Sequence, residues 1–142
     1  MMRRGITLRV KLGCEARYIR DKGVDMIQGI HHFAIIASSE ESIHFYEKLG
    51  FRETYRRERK YDTVVLLDGH GMQIEMFVDP NHPERATNPE NIGLRHLALK
   101  VNNIEETVAE LGLEIGPIMN DWIGVRFAFT ADPDVLPIEL HE

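Results

Sequence analysis

Two histidines and two glutamates recur at matched intervals in this 142-residue chain. When His31–Ser38 (HHFAIIAS) is set over Arg95–Asn102 (RHLALKVN), His32 falls on His96 and Ala34 on Ala98, an offset of 64 residues. When Gly71–Phe77 (GMQIEMF) is set over Val135–His141 (VLPIELH), Glu75 falls on Glu139 at the same offset. Each histidine therefore precedes its glutamate by 43 residues. Both glutamates sit in strand-like apolar runs, Glu75 between Ile74 and Met76 and Glu139 between Ile138 and Leu140. An ionised carboxylate in such a run needs a partner. One divalent ion would serve all four residues. Two imidazoles and two carboxylates neutralise it and leave open positions for Lewis-acid chemistry. A structural network, with each glutamate on a histidine or arginine, is the alternative, as is plain exposure by strand alternation. Two identical spacings favour the metal. In that case Glu75 or Glu139, displaced from the ion, moves a proton as general base.

Parity separates His32 from its neighbour His31. In a strand, His32, Ala34 and Ile36 share one face, and His31, Phe33 and Ile35 the other. In the matching strand, His96 and Ala98 lie opposite Leu97, Leu99 and Val101. The bulky face suits packing under a helix, and the face with histidine and a small alanine suits an open surface. His31 is expected against the helix layer or hydrogen-bonded behind a ligand. His44 reads as helical, His70 as a turn residue, His82 as linker and His141 as terminal, and none of them repeats at the offset.

Each half reads as strand, helix and three strands, an α+β arrangement. The first half predicts a strand over 28–37, a helix over 39–49 and strands over 51–59, 62–68 and 71–78. The second predicts a strand over 93–101, a helix over 103–111 and strands over 113–119, 123–130 and 135–141. Ser38 or Ser39 can cap the first helix and Asn102 or Asn103 the second, while Gly50 and Gly112 end them. Asp68–Gly71 and Ala131–Asp134 carry turn chemistry at equivalent places. Residues 80–91, polar and proline-rich, join module 26–79 to module 92–142.

The net charge of −6 argues against a general nucleic-acid or anionic-membrane partner. Residues 1–25 depart from it, with seven Lys/Arg against three Asp/Glu. They read as a basic arm or as a start set too far upstream of Met26. Ile6–Leu12 (ITLRVKL) alternates as a strand able to add to a sheet edge. The single cysteine, Cys14, allows no intrachain disulfide and fits a reducing compartment. No apolar run approaches the ~18 residues of a membrane span. The expected location is cytoplasmic.

The paired pattern with His32, Glu75, His96 and Glu139 resembles the vicinal oxygen chelate superfamily. That group includes glyoxalase I, fosfomycin-resistance transferases, methylmalonyl-CoA epimerase and extradiol dioxygenases. The stretches IHHFAIIAS, FYEKLGF, PERATNPENIGLRHLALKV and RFAFTADPD most resemble small bacterial glyoxalase-like proteins of the YaeR type. The resemblance covers residues 26–142, read as one such domain. It implies two tandem βαβββ modules forming a cupped, barrel-like mixed sheet around one divalent ion. Zinc or nickel is expected before manganese or iron, with His32, Glu75, His96 and Glu139 as ligands. It also implies a homodimer, each site lying within one chain or shared between two. The implied activity is a lyase or isomerase acting on a small oxygen-chelating substrate. An iron dioxygenase and a non-catalytic binding protein are the alternatives. Glyoxalase I has an arginine four residues after its first metal histidine and an asparagine four after its first metal glutamate. Ile36 and Asp79 stand there, which disfavours glutathione. Val135 replaces the glycine usual before the last strand, predicting a different turn geometry. An anionic substrate group would be held by Arg126, inside the apolar run IGVRFAFT, or by an arginine of Phe51–Tyr61.

Overall fold

A computed structural model of the chain describes residues 26–142 in full, and before them only the backbone of β1 (Ile6–Arg9) and β2 (Arg17–Arg20). The chain divides into two compact units, Met1–Ile30 and His31–Glu142. In the first, β1 and β2 form an antiparallel two-stranded sheet, with Ile6 opposite Arg20. Cys14 lies outside the described residues.

The second unit runs β3 (Phe33–Ala37), α1 (Glu41–Lys48), β4 (Arg52–Glu58), β5 (Thr63–Gly69) and β6 (Met72–Val78). It continues with β7 (Leu97–Lys100), α2 (Ile104–Leu111), β8 (Met119–Asn120), β9 (Arg126–Ala131) and β10 (Pro137–His141). The two halves share one topology. The sheets are ordered β3-β6-β5-β4 and β7-β10-β9-β8. In each, the first strand lies parallel to the last and the remaining pairs are antiparallel. A helix between the first and second strands supplies the crossover that parallel pairing requires.

Local chemistry explains most boundaries. Asn103 caps α2, its side chain accepting the Glu106 N–H at 2.8 Å, and Gly112 ends the helix in the left-handed conformation. Glu40 occupies the α1 cap position without a side-chain bond, and Ser39 Oγ takes the Glu41 N–H instead. The strand expected over 113–119 shrinks to Met119–Asn120. Leu113 N–H closes the end of α2 on Val108, and Pro117 has no N–H to give a ladder.

Val135 adopts φ +60°, close to the +76° of Gly71 at the equivalent place in the first half. The turn thus keeps the left-handed geometry despite its valine. A β-branched residue there is strained by about 1–3 kcal/mol. The bonds around Asp132 hold it in place. Val135 N–H bonds Asp132 O, and Asp132 Oδ1 accepts the Asp134 and Leu136 N–H groups, both at 2.9 Å.

The cupped, barrel-like sheet does not form. The structure has two separate four-stranded sheets, each open at both edges. The halves meet on their helix-bearing sides instead. Tyr46 Oη donates to Asp132 Oδ2 at 2.9 Å. Ser38 N–H and Ser42 Oγ donate to Asp134 Oδ2 at 2.9 and 3.1 Å. Lys48 Nζ reaches Gly112 O at 3.0 Å. One core joins them, with Ala37, Ile43, Tyr46, Leu67, Ile74 and Met76 from the first half and Ile104, Leu113, Ala128, Leu136, Ile138 and Leu140 from the second. Contact on that side leaves the opposite faces of both sheets outside the core. Ala34, Ile36, Ala98 and Lys100 are exposed there, and Ile36 keeps 53% of its surface.

Removing the Tyr46 hydroxyl leaves the buried Asp132 short of one donor. We expect Tyr46→Phe to cost about 2 kcal/mol, read from urea unfolding. A change within about 0.5 kcal/mol would show that the bond is replaceable.

Asp134 adds a pH dependence. Burial alone would raise its carboxyl, but the Ser38 and Ser42 hydrogen bonds outweigh burial and hold it below the usual range. Its stabilisation is present above the ordinary carboxylate pKa and lost as the pH falls through the lowered one. The stability gap between the wild type and Asp134→Asn should therefore hold down to about pH 5 and narrow as the pH falls through and below the ordinary carboxylate range. A constant gap would mean that the charge contributes nothing.

Candidate functional site

His32 and His96 each stand one residue before the first strand of their half. Parallel register sets Ala34 beside Glu75 and Ala98 beside Glu139. Residues paired across strands share a face, so each histidine, alanine and glutamate lies on the face away from the helices. The alanine is small enough for the imidazole to reach over it. His32 Nε2 lies 3.0 Å from Glu75 Oε2, and His96 Nε2 lies 2.9 Å from Glu139 Oε2.

The surroundings of the two pairs differ. His32 Nδ1 lies 2.9 Å from His31 Nδ1, so one ring donates and the other accepts. His31 reaches its neighbour because regular alternation starts only at Phe33. In the second half the support falls on the glutamate, where His141 Nδ1 lies 2.5 Å from Glu139 Oε1. His141 Nε2 in turn lies 3.4 Å from Asp121 Oδ2. Phe129 packs edge-on against His96 and Phe127 stacks on His141. Glu139 keeps 12% of its side-chain surface against 29% for Glu75.

The expected four-ligand metal centre is not present. Among the described residues, no group of three or more His, Cys, Asp or Glu could hold a metal ion. His32 with Glu75, and His96 with Glu139, stand as two pairs on separate sheets, so the donors do not fit zinc, nickel, manganese or iron as one set. Each carboxylate finds its partner within its own half. The contact through the helix sides leaves the two pair-bearing faces unjoined.

Arg126 opens β9 with a half-buried guanidinium paired to Glu105 and, at 3.3 Å, to Glu142. Glu142 also accepts the Ile104 N–H at the start of α2. In the 51–61 run, Arg56 bridges Glu40 and Glu53, and Arg59 pairs with Asp62 while its guanidinium lies 5.3 Å from the centre of the Phe77 ring. Ile36 lies exposed, and Asp79 accepts the Asn81 N–H and pairs with His82 at 3.2 Å. Sequence reasoning passed over His141 and Asp121. The i, i+2 spacing of Glu139 and His141 was the available signal, because it puts both on one strand face.

Two βαβββ halves, each carrying a His–Glu pair on its outward sheet face, define a duplicated-module protein. A profile of the Glyoxalase/Bleomycin resistance protein/Dioxygenase superfamily matches residues 29–140, and the chain belongs to that superfamily. It is 48% identical over 127 residues to the uncharacterised protein YwkD of Bacillus subtilis, covering 82% of this chain and 98% of that one. It is 40% identical over 126 residues to the uncharacterised protein YaeR of Escherichia coli, covering 82% and 97%. The crystal structure of a glyoxalase family protein from Enterococcus faecalis is similar at a TM-score of 0.74 and 40% identity, over 81% of this chain and 98% of that one.

If the pairs are local, a double-mutant cycle on His32 and Glu75 should give a coupling of about 0.5–1 kcal/mol, fitting a half-exposed contact. A cycle on His32 and Glu139 at concentrations where the chain is monomeric should give none. Equal couplings would mean that the four residues act as one cluster.

Proposed function

We propose that this chain is a glyoxalase-like lyase or isomerase acting on a small substrate with a carbonyl beside a hydroxyl-bearing carbon. The observation that carries the reading is the matched His–Glu pair on each outward sheet face. An ionised Glu75 or Glu139 takes the proton from the hydroxyl-bearing carbon and returns it to the former carbonyl carbon, while the neighbouring imidazole gives a proton to the former carbonyl oxygen and takes the proton of the old hydroxyl. The sum is an isomerisation, with no net change in atoms or electrons. The neighbouring imidazole keeps the carboxylate oriented and donates a hydrogen bond. Superfamily membership supports this class of small-molecule chemistry. Ile36 and Asp79 speak against the glutathione adduct as the preferred substrate.

The working form is a cytoplasmic homodimer. Open sheet edges and exposed Ile36 are surfaces that a second copy can cover. Arg126 is not given the anion-holding role expected of it, because it shares the helix-side face of β9 with the buried Ala128 and its guanidinium pairs with Glu105 of α2, on the far side of the sheet from Glu139.

The test uses the purified protein in deuterated water with methylglyoxal hemithioacetals of several thiols and with small α-hydroxy ketones. We expect deuterium at the carbon next to the carbonyl, falling at least ~10²-fold in Glu75→Gln or Glu139→Gln. Sedimentation should give a dimer at micromolar concentration. Saturable binding without exchange would make the chain a binding protein instead, and neither binding nor exchange would end the proposal.

A further inference from the structure

His141 does not belong to the duplicated framework. The residue 64 positions before it is Phe77, so the first half builds the same strand with no base at that place. The fold therefore does not require a histidine there. In the second half, its imidazole sits between two carboxylates, 2.5 Å from Glu139 and 3.4 Å from Asp121. The ring is also fixed in plane, stacked on Phe127 at a 6.2 Å centroid distance and a 13° interplanar angle.

Asp121 is itself immobilised. Its Oδ1 accepts the Ile123 and Val125 N–H groups, both at 2.9 Å. Its backbone N–H bonds Val125 O, and its carbonyl takes the Gly124 N–H. Gly124 supplies the positive φ that this turn needs, at +84°. With Oδ1 occupied by the turn, Oδ2 is the oxygen left for His141.

The two glutamates consequently differ in freedom. Glu139 has both oxygens engaged, Oε2 by His96 and Oε1 by His141. Glu75 meets His32 through Oε2, and among the described residues its Oε1 has no such partner. A carboxylate held at both oxygens keeps one orientation, and one held at a single oxygen can rotate about its last torsion.

We propose that His141 is a positioning residue, which, braced by Asp121, fixes the Glu139 carboxylate against His96. Of the two paired glutamates, Glu139 is thus the fixed one and Glu75 the one that turns. The catalytic meaning of this rests on the proposed reading of both glutamates as proton carriers, whereas the orientation does not.

Crystal structures of the full-length wild type, His141→Phe, His141→Gln and Asp121→Asn test the orientation, alongside urea unfolding. Phenylalanine keeps the stack on Phe127 and matches the first half, so the fold should persist. We expect the Glu139 carboxylate to rotate away from His96 in His141→Phe, and the glutamine amide N–H to restore its wild-type position. Asp121→Asn should leave Glu139 in more than one orientation. Glu139 unmoved in both His141→Phe and Asp121→Asn would overturn the proposal, as would unfolding of His141→Phe, which would make the histidine a packing residue. Where the wild type exchanges deuterium, kcat should fall about 10- to 100-fold in His141→Phe at constant KM and recover in His141→Gln. Absence of exchange in the wild type would count against the proposed reaction alone, and the crystallographic orientation would still decide the role of His141.

Discussion

Asp132 is a buried carboxylate that accepts three hydrogen bonds, two from its own turn and one from Tyr46 of the other half. Burial raises its pKa, and the three donors work against that rise. The Tyr46 hydroxyl is pushed far up, first by its own burial and then by the Asp132 charge. Each group partly offsets the cost of burying the other. Their bond sets α1 against the turn before β10 and so decides which faces of the two sheets are covered. The same carboxylate holds the turn with the strained Val135, and the docking leaves outside the core the sheet faces on which parity places both His–Glu pairs.

Much of the second unit was legible in local patterns. Alternation in Phe33–Ala37 and Leu97–Lys100 separated covered from open faces, and Asn103 and Gly112 marked the ends of α2. The offset of 64 carried the duplicated topology, because equal spacing preserves both register and parity. What failed was long-range. Nothing local reports whether two four-stranded sheets join at an edge or meet through their helices, so the barrel was not excluded. The metal centre failed for the same reason. Each glutamate has a histidine of its own half within reach, and the pairing is settled by how the halves meet. Residues 113–118 were misjudged locally, since Gly116 and Pro117 interrupt the apolar pattern. Val135 was misjudged because the bonds around Asp132 impose the left-handed turn against the preference of its side chain.

The repeated framework accounts for the likeness of the two pairs, and the residues at unmatched positions account for their difference. In the first half an added histidine, His31, leans on the histidine of the pair. In the second, His141 leans on the glutamate. The same framework thus supports two differently braced carboxylates. The superfamily to which this chain belongs includes glyoxalases, bleomycin-resistance proteins and dioxygenases. A scaffold whose strands repeat while their polar neighbours change is suited to such variety, since chemistry resides in the site and not in the fold.

The turn braced by Asp121 also carries Trp122, the sole tryptophan of the chain, with 95% of its surface exposed. Its backbone neighbour Asp121 faces His141, beside the second His–Glu pair, at 3.4 Å. The molecule therefore contains a single tryptophan fluorophore in water, one residue along the backbone from the carboxylate that faces His141. A rearrangement of the turn changes the surroundings of this chromophore, so the protein reports on that turn by light emission without a label.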